Sequence, residues 1–282
     1  MIKNFLKILL LFILLSEMFY AETLLIGDGD KNGTQLTNQP IKFNRITLPI
    51  YEAGQIGNKT TNLSRSAGII DTMGFLYSSG FLISGYDQNN KLWANGVEQT
   101  RRILDYVKGT VANPNDPFGV YTNSINSKPF GEEWQNWKDA VNLGAEFYDG
   151  DNDGIYSPID KNQNGKWDEN EDRPALYGDV MAWSVFNDGV PTSERKFADT
   201  EPLGINIRQT VWGYSDNPNL DKVVFIKYSI ENTGTVSHTL YDVNFSLATD
   251  PELGYYRNDF LATDQQNNTI LTYTPYKDSY LN

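Results

Sequence analysis

The chain has 282 residues, with 36 acidic and 23 basic side chains, a formal net charge of -13, one histidine and no cysteine. Without cysteine it cannot form disulfides, a cysteine nucleophile, a cysteine-ligated zinc site or an iron-sulfur cluster. Nucleic acids bind to clustered Lys and Arg, and the field of so acidic a chain repels DNA and RNA, so we expect no nucleic-acid partner.

The first 21 residues have the pattern of a secretory signal peptide. Lys3 and Lys7 precede or enter an apolar run from Ile8 to Leu15, and Ala21 offers a small residue for cleavage. The run is too short for a membrane span, and no other stretch predicts a transmembrane segment. We therefore expect a secreted protein, extracellular or on the outer cell surface, with its signal peptide cleaved near Ala21.

The composition predicts a mainly β protein. Aromatic residues make up 13% of the chain, and Gly, Asn, Thr and Ser separate short apolar runs. We expect an Ig-like β-sandwich with an aspartate-rich connector and one or two short helices. The expected regions after the signal peptide are an N-terminal β-rich region (22–131), a short helix with tandem calcium loops (132–174) and a C-terminal β-sandwich (175–282).

One helix is predicted over residues 132–145, because Trp134, Trp137 and Val141 recur at helical spacing. Residues 96–107 are a second helix candidate. Their β-branched residues are equally compatible with a strand.

Alternating residues predict strands in the C-terminal third. One runs over residues 223–231, another begins at residue 241, and Asn232-Thr233-Gly234 supplies turn residues between them. The residues expected to face the core are Val224, Ile226, Tyr228, Ile230, Tyr241, Val243, Phe245 and Leu247. Residues 205–214 predict a third strand. The run from residue 225 to 246 resembles the Ig-like β-sandwich repeats common in bacterial surface proteins.

The clearest chemical motif is an EF-hand-like spacing that occurs twice between residues 149 and 172. Counted from Asp149 and again from Asp160, oxygen-bearing side chains fall at positions 1, 3, 5, 9 and 12, with glycine at position 6. The first set is Asp149, Asp151, Asp153, Ser157 and Asp160, and the second is Asp160, Asn162, Asn164, Asp168 and Glu171.

This spacing predicts one or two calcium ions. Ca²⁺ takes six to eight oxygen ligands, and glycine at the sixth position permits the sharp bend that turns alternate side chains inward. The backbone carbonyls of Ile155 and Lys166 would complete the two shells, and Tyr156 and Trp167 would anchor the loops. The alternative is an acidic, solvated loop that binds no ion.

The two loops share Asp160, and Pro158 would break a helix between them, which excludes a paired helix-loop-helix arrangement. The segment resembles the tandem aspartate-rich calcium loops of thrombospondin type 3 repeats and, one loop at a time, those of dockerins. The resemblance implies the same two ligand sets. The cysteines of thrombospondin repeats and the separated, helix-flanked loops of dockerins are missing, so cohesin binding is not implied.

Two further acidic groups have weaker spacing. Residues 28–33 begin like a calcium loop but have no acidic residue at the twelfth position, and we expect a surface turn. Acidic side chains at Asp250, Glu252, Asp259 and Asp264 could hold a further ion, but a solvated sheet end is the preferred interpretation.

The search for catalytic residues is mostly negative. His238 lies beside Ser237 in the turn between two predicted strands, without a Gly-x-Ser-x-Gly motif. A mechanism that uses only carboxylates, as in glycoside hydrolysis, could employ Glu132 and Glu133 beside tryptophans that stack on sugars. At helical spacing the same tryptophans also fit a protein core.

A longer resemblance covers most of the chain. Residues 149–188, including Gly-Asp-Val-Met-Ala-Trp-Ser-Val-Phe-Asn-Asp from Gly178, and the segments that begin at Val223 and Asp250 resemble a block of uncharacterised secreted or surface proteins in bacteria with type IX export. Such proteins usually end in a sorting domain. None is visible before Asn282, which leaves open a truncated chain or another export route.

These observations predict a secreted, calcium-stabilised structural or binding protein of the cell surface, without catalytic activity of its own. Its partner would be a surface protein or a polysaccharide. The alternative is an extracellular glycoside hydrolase or its carbohydrate-binding accessory module.

Overall fold

The computed structural model describes residues 6–13, 38–43, 45–57, 67–97, 104–195, 200–254 and 258–274. Within these ranges the protein is mainly β, with one α-helix and one 3-10 turn at Thr192–Glu194. The strands before the helix are β1 (Leu6–Ile13), β2 (Asn38–Phe43), β3 (Ile46–Tyr51), β4 (Ile56–Gly57), β5 (Gly68–Ile70), β6 (Met73–Tyr86), β7 (Leu92–Gly96), β8 (Val107–Lys108) and β9 (Val120–Ser124). Helix α1 (Glu132–Asn142) is followed by β10 (Phe147–Tyr148), β11 (Arg173–Pro174), β12 (Val180–Asn187), β13 (Ile205–Gly213), β14 (Val223–Asn232), β15 (Tyr241–Pro251), β16 (Phe260–Asp264) and β17 (Thr269–Tyr273).

Most of the strands belong to two antiparallel sheets. The first sheet has the order β1-β14-β13-β12-β8, with β9 also paired to β12. The second has the order β15-β6-β4-β3-β2, with β5 paired to β3 and β6, and β7 paired to β6. Both sheets therefore combine strands from before and after the 132–174 segment.

A shared hydrophobic core joins the two sheets. Phe81 of the second sheet lies 4.9 Å from Tyr228 and 5.9 Å from Phe186 of the first, measured between ring centroids. Residues 22–131 and 175–282, as far as they are described, contribute side chains to this one core. Burial of large apolar side chains from both regions stabilises them together.

The first sheet is buried on both faces. Along β12, Ala182 and Phe186 point to the shared core, whereas Met181, Trp183 and Val185 point to a second cluster that includes Trp137 of α1. This alternation follows from the two-residue period of a strand. The helix therefore covers the outer face of the first sheet and brings the acidic segment after it to the same side.

The predicted helix is confirmed, with an earlier end. It spans Glu132–Asn142, and Trp134 and Trp137 are buried. Leu143 leaves helical geometry, and Gly144 has φ +99°, a conformation that glycine adopts without a side-chain clash.

The second helix candidate, residues 96–107, has strand structure at both of its ends. Strand β7 ends at Gly96, Val97 forms a bridge with Leu104, and β8 begins at Val107. Residues 98–103 lie outside the described residues.

The predicted C-terminal strands are confirmed as elements. Strands β13 and β14 lie where expected, and Val224, Ile226 and Tyr228 are buried as the alternation predicts. The prediction for β15 is partly wrong. Phe245 and Leu247 pack on the core, but Tyr241 and Val243 are exposed.

The cause is the pairing of β15. Instead of lying beside β14, it pairs with β6 in the other sheet, and a register shift falls between Tyr241 and Asn244. Asp242 within the shift has φ 47°. Such an irregularity changes which face the preceding side chains occupy.

Strand β1 lies in the expected signal peptide. In the uncleaved chain it forms the edge of the first sheet, with Leu6 opposite Ile230 and Ile13 opposite Val223. In the part of the chain that the structure describes, no helix is long and apolar enough to cross a membrane.

Candidate metal centre

The acidic segment is held at its base by a short two-stranded ribbon. Strand β10 pairs with β11, with Phe147 opposite Pro174 and Tyr148 opposite Arg173. This closes residues 149–172 into one excursion beside α1. Within it, the backbone repeats at the interval that the sequence predicts.

The two loops have the same backbone geometry. Asn152 and Gly154 in the first loop have φ values of 59° and 77°, and Gln163 and Gly165, eleven residues later, have 61° and 74°. Left-handed backbone is uncommon outside glycine, so two such positions recurring at the same spacing indicate a genuine structural repeat.

The first carboxylate of each loop binds the backbone of the bend. Asp149 accepts hydrogen bonds from the amides of Asp153 at 3.2 Å and Gly154 at 2.9 Å. Asp160 likewise accepts from the amides of Asn164 at 3.1 Å and Gly165 at 2.7 Å. These bonds fix the curvature of both loops, so glycine and aspartate act together at positions 6 and 1.

Two buried carboxylates hold the loops closed from beneath. Asp172, 1% exposed, accepts from the amides of Gly150 at 3.0 Å and Ser157 at 2.7 Å. Glu171, 0% exposed, accepts from the corresponding amides of the second loop, Lys161 at 2.6 Å and Asp168 at 2.9 Å. The two residues therefore make equivalent contacts in neighbouring loops.

The two clamping carboxylates relate differently to the expected ligand sets. Glu171 is predicted as an ion ligand, but both of its carboxylate oxygens accept backbone hydrogen bonds. Asp172 is outside the predicted sets, and it makes the same contacts in the first loop that Glu171 makes in the second. In the sequence, Asp172 is marked only by its position directly after Glu171, the twelfth residue of the second loop.

Three predicted ligands converge in the first loop. Asp149, Asp151 and Asp153 each place a carboxylate oxygen so that the three atoms lie within 4.8 Å of one another. Asp151 and Asp153 are exposed and Asp149 is half-buried. Among the described residues, this is the group of acidic, histidine or cysteine side chains that meets the geometry for a shared ion.

One cation contacts this triad. The Lys161 ammonium lies 2.7 Å from a carboxylate oxygen of Asp151 and also donates to the carbonyl of Asn170 at 2.8 Å. Its hydrogen bond and charge hold the pKa of Asp151 below the ordinary value. Lys161 thus partly offsets the repulsion of three carboxylates and would compete with a metal ion for Asp151.

The second loop closes through amide-carboxylate contacts. The side-chain amides of Asn162 and Asn164 donate to one oxygen of Asp168, at 2.7 and 2.9 Å. The shared residue Asp160 belongs to the bend of this loop through its bonds to Asn164 and Gly165.

The other predicted ligands contribute to hydrogen bonds within the loops. The backbone amide of Ser157, a predicted first-loop ligand, is bound by Asp172. The predicted carbonyl ligands Ile155 and Lys166 donate their amides to Asp153 and Asn164, both at 2.7 Å.

Aromatic side chains attach both loops to the protein. Tyr156 is buried and donates its hydroxyl to the Trp134 carbonyl of α1 at 2.9 Å. Trp167 packs against Tyr148, with 5.5 Å between ring centroids, and the Arg173 guanidinium lies 4.6 Å from its ring. The acidic loops are therefore anchored to α1 and to the β10-β11 ribbon.

The chemistry of the triad favours a hard cation. Its ligand atoms are carboxylate oxygens, without the histidine or cysteine that most protein zinc sites contain. The triad could hold a metal ion, whose identity this geometry does not specify.

The weaker acidic groups have different outcomes. Residues 28–33 lie outside the described residues. Glu252 is buried, and burial together with the charges of Asp250 and Asp259 raises its pKa to about 6. Asp259 accepts a hydrogen bond from the Leu253 amide at 2.9 Å. Glu252 is therefore not part of a solvated sheet end, because its side chain is buried and Asp259 beside it is held by a backbone hydrogen bond.

The residues considered for catalysis do not form a site with the tryptophans beside them in the sequence. Ser237 is buried and its hydroxyl donates to the Thr239 carbonyl at 2.8 Å, whereas His238 is exposed. Glu132 and Glu133 are exposed in the first turn of α1. Because Trp134 and Trp137 are 7% and 1% exposed, neither offers an open face beside these acids for stacking on a sugar.

Comparison with known proteins gives no relative. No protein-family model matches the sequence, and no curated protein or solved structure matches it at a significant level.

Proposed function

We propose that this is a secreted, calcium-stabilised structural or binding protein of the bacterial cell surface, without catalytic activity of its own. The observation that carries the proposal is the aspartate triad inside a loop whose backbone geometry is repeated eleven residues later. Bound calcium would offset most of the negative charge of the triad and stabilise the connector that packs beside α1. A weak site, with a dissociation constant of about 10⁻⁴ M, would be mostly filled at millimolar extracellular calcium.

Calcium is favoured over other ions by the donor set. A group of carboxylates without other preset ligands suits an ion that accepts variable coordination numbers, whereas Mg²⁺ requires near-octahedral geometry and retains water. The first loop is the stronger candidate because three carboxylates converge there. The second would bind calcium only if the amides of Asn162 and Asn164 turned their oxygens inward.

Export is supported by the N-terminal charge and apolar pattern. Cleavage near Ala21 would remove β1 and leave the outer edge of β14 without this partner strand. Intact-mass analysis of the protein recovered from the medium or cell surface tests the proposal. A first residue near Glu22 is expected, and a secreted chain that retains Met1 would contradict cleavage.

An Ig-like relationship for residues 225–246 remains part of the proposal. The alternating burial of β14 supports it. In an Ig-like arrangement β14 and β15 would face each other from the two sheets, in which they lie separately.

The alternative, glycoside hydrolysis, has less support. Its two acidic candidates lie beside tryptophans that belong to the core. Hydrolysis of a glycan by the purified protein that disappears in Glu132→Gln or Glu133→Gln would favour the enzyme over the structural proposal.

The decisive experiment compares calcium binding by the purified protein and three variants after treatment with chelator. Calorimetric titration should give a saturable calcium response that weakens roughly tenfold or more in Asp151→Asn, because the site loses a charged ligand. Lys161→Gln should strengthen binding, since it removes the cation that competes for Asp151.

Glu169→Gln is the matched control. This exposed acid lies in the same segment but outside the triad, and its replacement should leave affinity within about twofold. No calcium response at millimolar concentration, or equal loss in Asp151→Asn and Glu169→Gln, would reject a specific site.

A further inference from the structure

A cleft on the outer face of the first sheet lies apart from the acidic loops. It encloses about 300 Å³, at the lower end of the volume range of small-molecule sites. Its apolar lining includes Trp137, Met181 and Trp183, whose side chains are almost completely buried. Such a lining excludes water from one side of a bound molecule.

The polar part of the cleft is unusual for so acidic a protein. Arg208 and Lys227 contribute two positive charges to the lining, and Glu146 contributes one negative charge. The whole chain has a net charge of -13. Cations placed beside an apolar wall are suited to a small acid with an apolar or ring-shaped body.

Arg208 has an unused donor at this site. Both terminal nitrogens of its guanidinium donate to one oxygen of Glu231 at 3.1 Å, but the buried Nε has no hydrogen-bond partner. Nε has almost no accessible surface, so Arg208 contributes positive charge to the cleft rather than this donor.

Gly144 packs against the Arg208 guanidinium. A side chain at this position would place its Cβ 2.6 Å from Nε of Arg208. The glycine also lines the cleft and has φ +99°, which disfavours other residues. The Gly144 backbone therefore packs closely against the guanidinium, and a larger residue at this position would meet it.

Lys227 supplies the second cation. Its ammonium lies 3.3 Å from the Glu146 carboxylate, 3.0 Å from the Tyr177 hydroxyl and 4.7 Å from the centre of the Tyr177 ring. Burial tends to lower its pKa, but the hydroxyl and the carboxylate raise it overall. The ammonium therefore stays charged at neutral pH.

Glu146 marks where an external carboxylate can bind. Its side chain is 52% exposed, and it accepts hydrogen bonds from both Lys227 and the Tyr177 hydroxyl. A side chain with this much exposure can move aside. The same donors would then be available to another carboxylate.

We propose that this cleft binds a small organic carboxylate, whose acid group replaces that of Glu146 on Lys227 and on the Tyr177 hydroxyl, while its body lies in the cleft beside the Tyr177 ring. This inference is independent of the calcium proposal. Two kinds of acid share the chemistry, an aromatic acid and an acidic sugar, and they are distinguished by separate probes.

The experiment titrates the purified full-length protein with benzoate and with glucuronate, following tryptophan fluorescence and calorimetric heat. Benzamide and glucose are the neutral counterparts. One acid should bind saturably and roughly tenfold or more tightly than its neutral counterpart, because hydrogen bonds to an ionised group are strong. The acid that binds identifies the ligand body. The titrations are repeated with chelator, so that failure of the calcium proposal does not affect the result.

Variants of opposite sign complete the test. Lys227→Met should weaken binding of the acid roughly tenfold, whereas Glu146→Gln should strengthen it by removing the competing carboxylate. Lys138→Met, on the exposed side of α1, is the matched control and should have no effect. Circular dichroism establishes that each variant is folded. The proposal is overturned if neither acid binds, if acid and neutral compound bind equally, or if folded Lys227→Met and Glu146→Gln bind as the unmodified protein does.

Discussion

Removal of the Asp172 carboxylate tests whether the first acidic loop depends on its buried clamp, the pair of hydrogen bonds that Asp172 accepts from Gly150 and Ser157. In Asp172→Ala, the amides of Gly150 and Ser157 lose an ionised acceptor at 3.0 and 2.7 Å. Hydrogen bonds to charged groups contribute about 1.5 to 3 kcal/mol each. Because both amide-bearing residues are half-exposed, water can partly replace the carboxylate, and we expect a loss near the lower limit, about 3 kcal/mol in total.

Thermal unfolding measures this loss. For a domain of this size, about 3 kcal/mol corresponds to a decrease in Tm of roughly 6 to 12 °C. Asp172→Asn retains one acceptor oxygen and should lose about half as much. Amide hydrogen exchange should accelerate at Gly150 and Ser157 more than at Lys161, whose amide is bound by Glu171.

Glu169→Ala provides the control, because it removes an exposed acid from the same segment without touching the clamp. The measurements are made with calcium and with chelator to separate the clamp from ion binding. A Tm for Asp172→Ala within about 1 °C of the unmodified protein, or unchanged exchange at Gly150 and Ser157, would refute the clamp.

Three further predictions concern other parts of the fold. Trp137→Ala should reduce the free energy of unfolding by about 3 to 5 kcal/mol, measured by chemical denaturation, because it leaves a cavity between α1 and the first sheet. Gly144→Ala should lower Tm, since alanine at φ +99° is strained and its Cβ would meet Arg208; an unchanged Tm would show that this segment relaxes freely. The pKa of Glu252 is about 6 in the folded protein, above its ordinary value of 4.5, so its contribution is fully present below about pH 4.5 and is lost as pH rises through 6. Glu252→Gln should flatten the dependence of stability on pH in that interval, and a slope identical to that of the unmodified protein would contradict the shift.

Much of the acidic segment could be predicted from local sequence. Aspartate and glycine at fixed positions specify the bends, because each carboxylate binds amides only four or five residues away. The helix was predictable for the same reason, since its buried tryptophans recur at the helical period. The contact of Lys161 with Asp151 was not predictable in this way, because it joins different loops.

The sequence by itself determined the mainly β composition, the single described helix and the repeated bends, because these depend on side chains close in the chain. Only the tertiary structure decided that β15 pairs with β6, that Asp172 holds the first loop closed, and that Arg208 and Lys227 line one cleft. Each of these contacts joins segments far apart along the chain or across two elements. Local periodicity indicates which face of an element is apolar. Which other element packs against that face depends on how all the elements pack together.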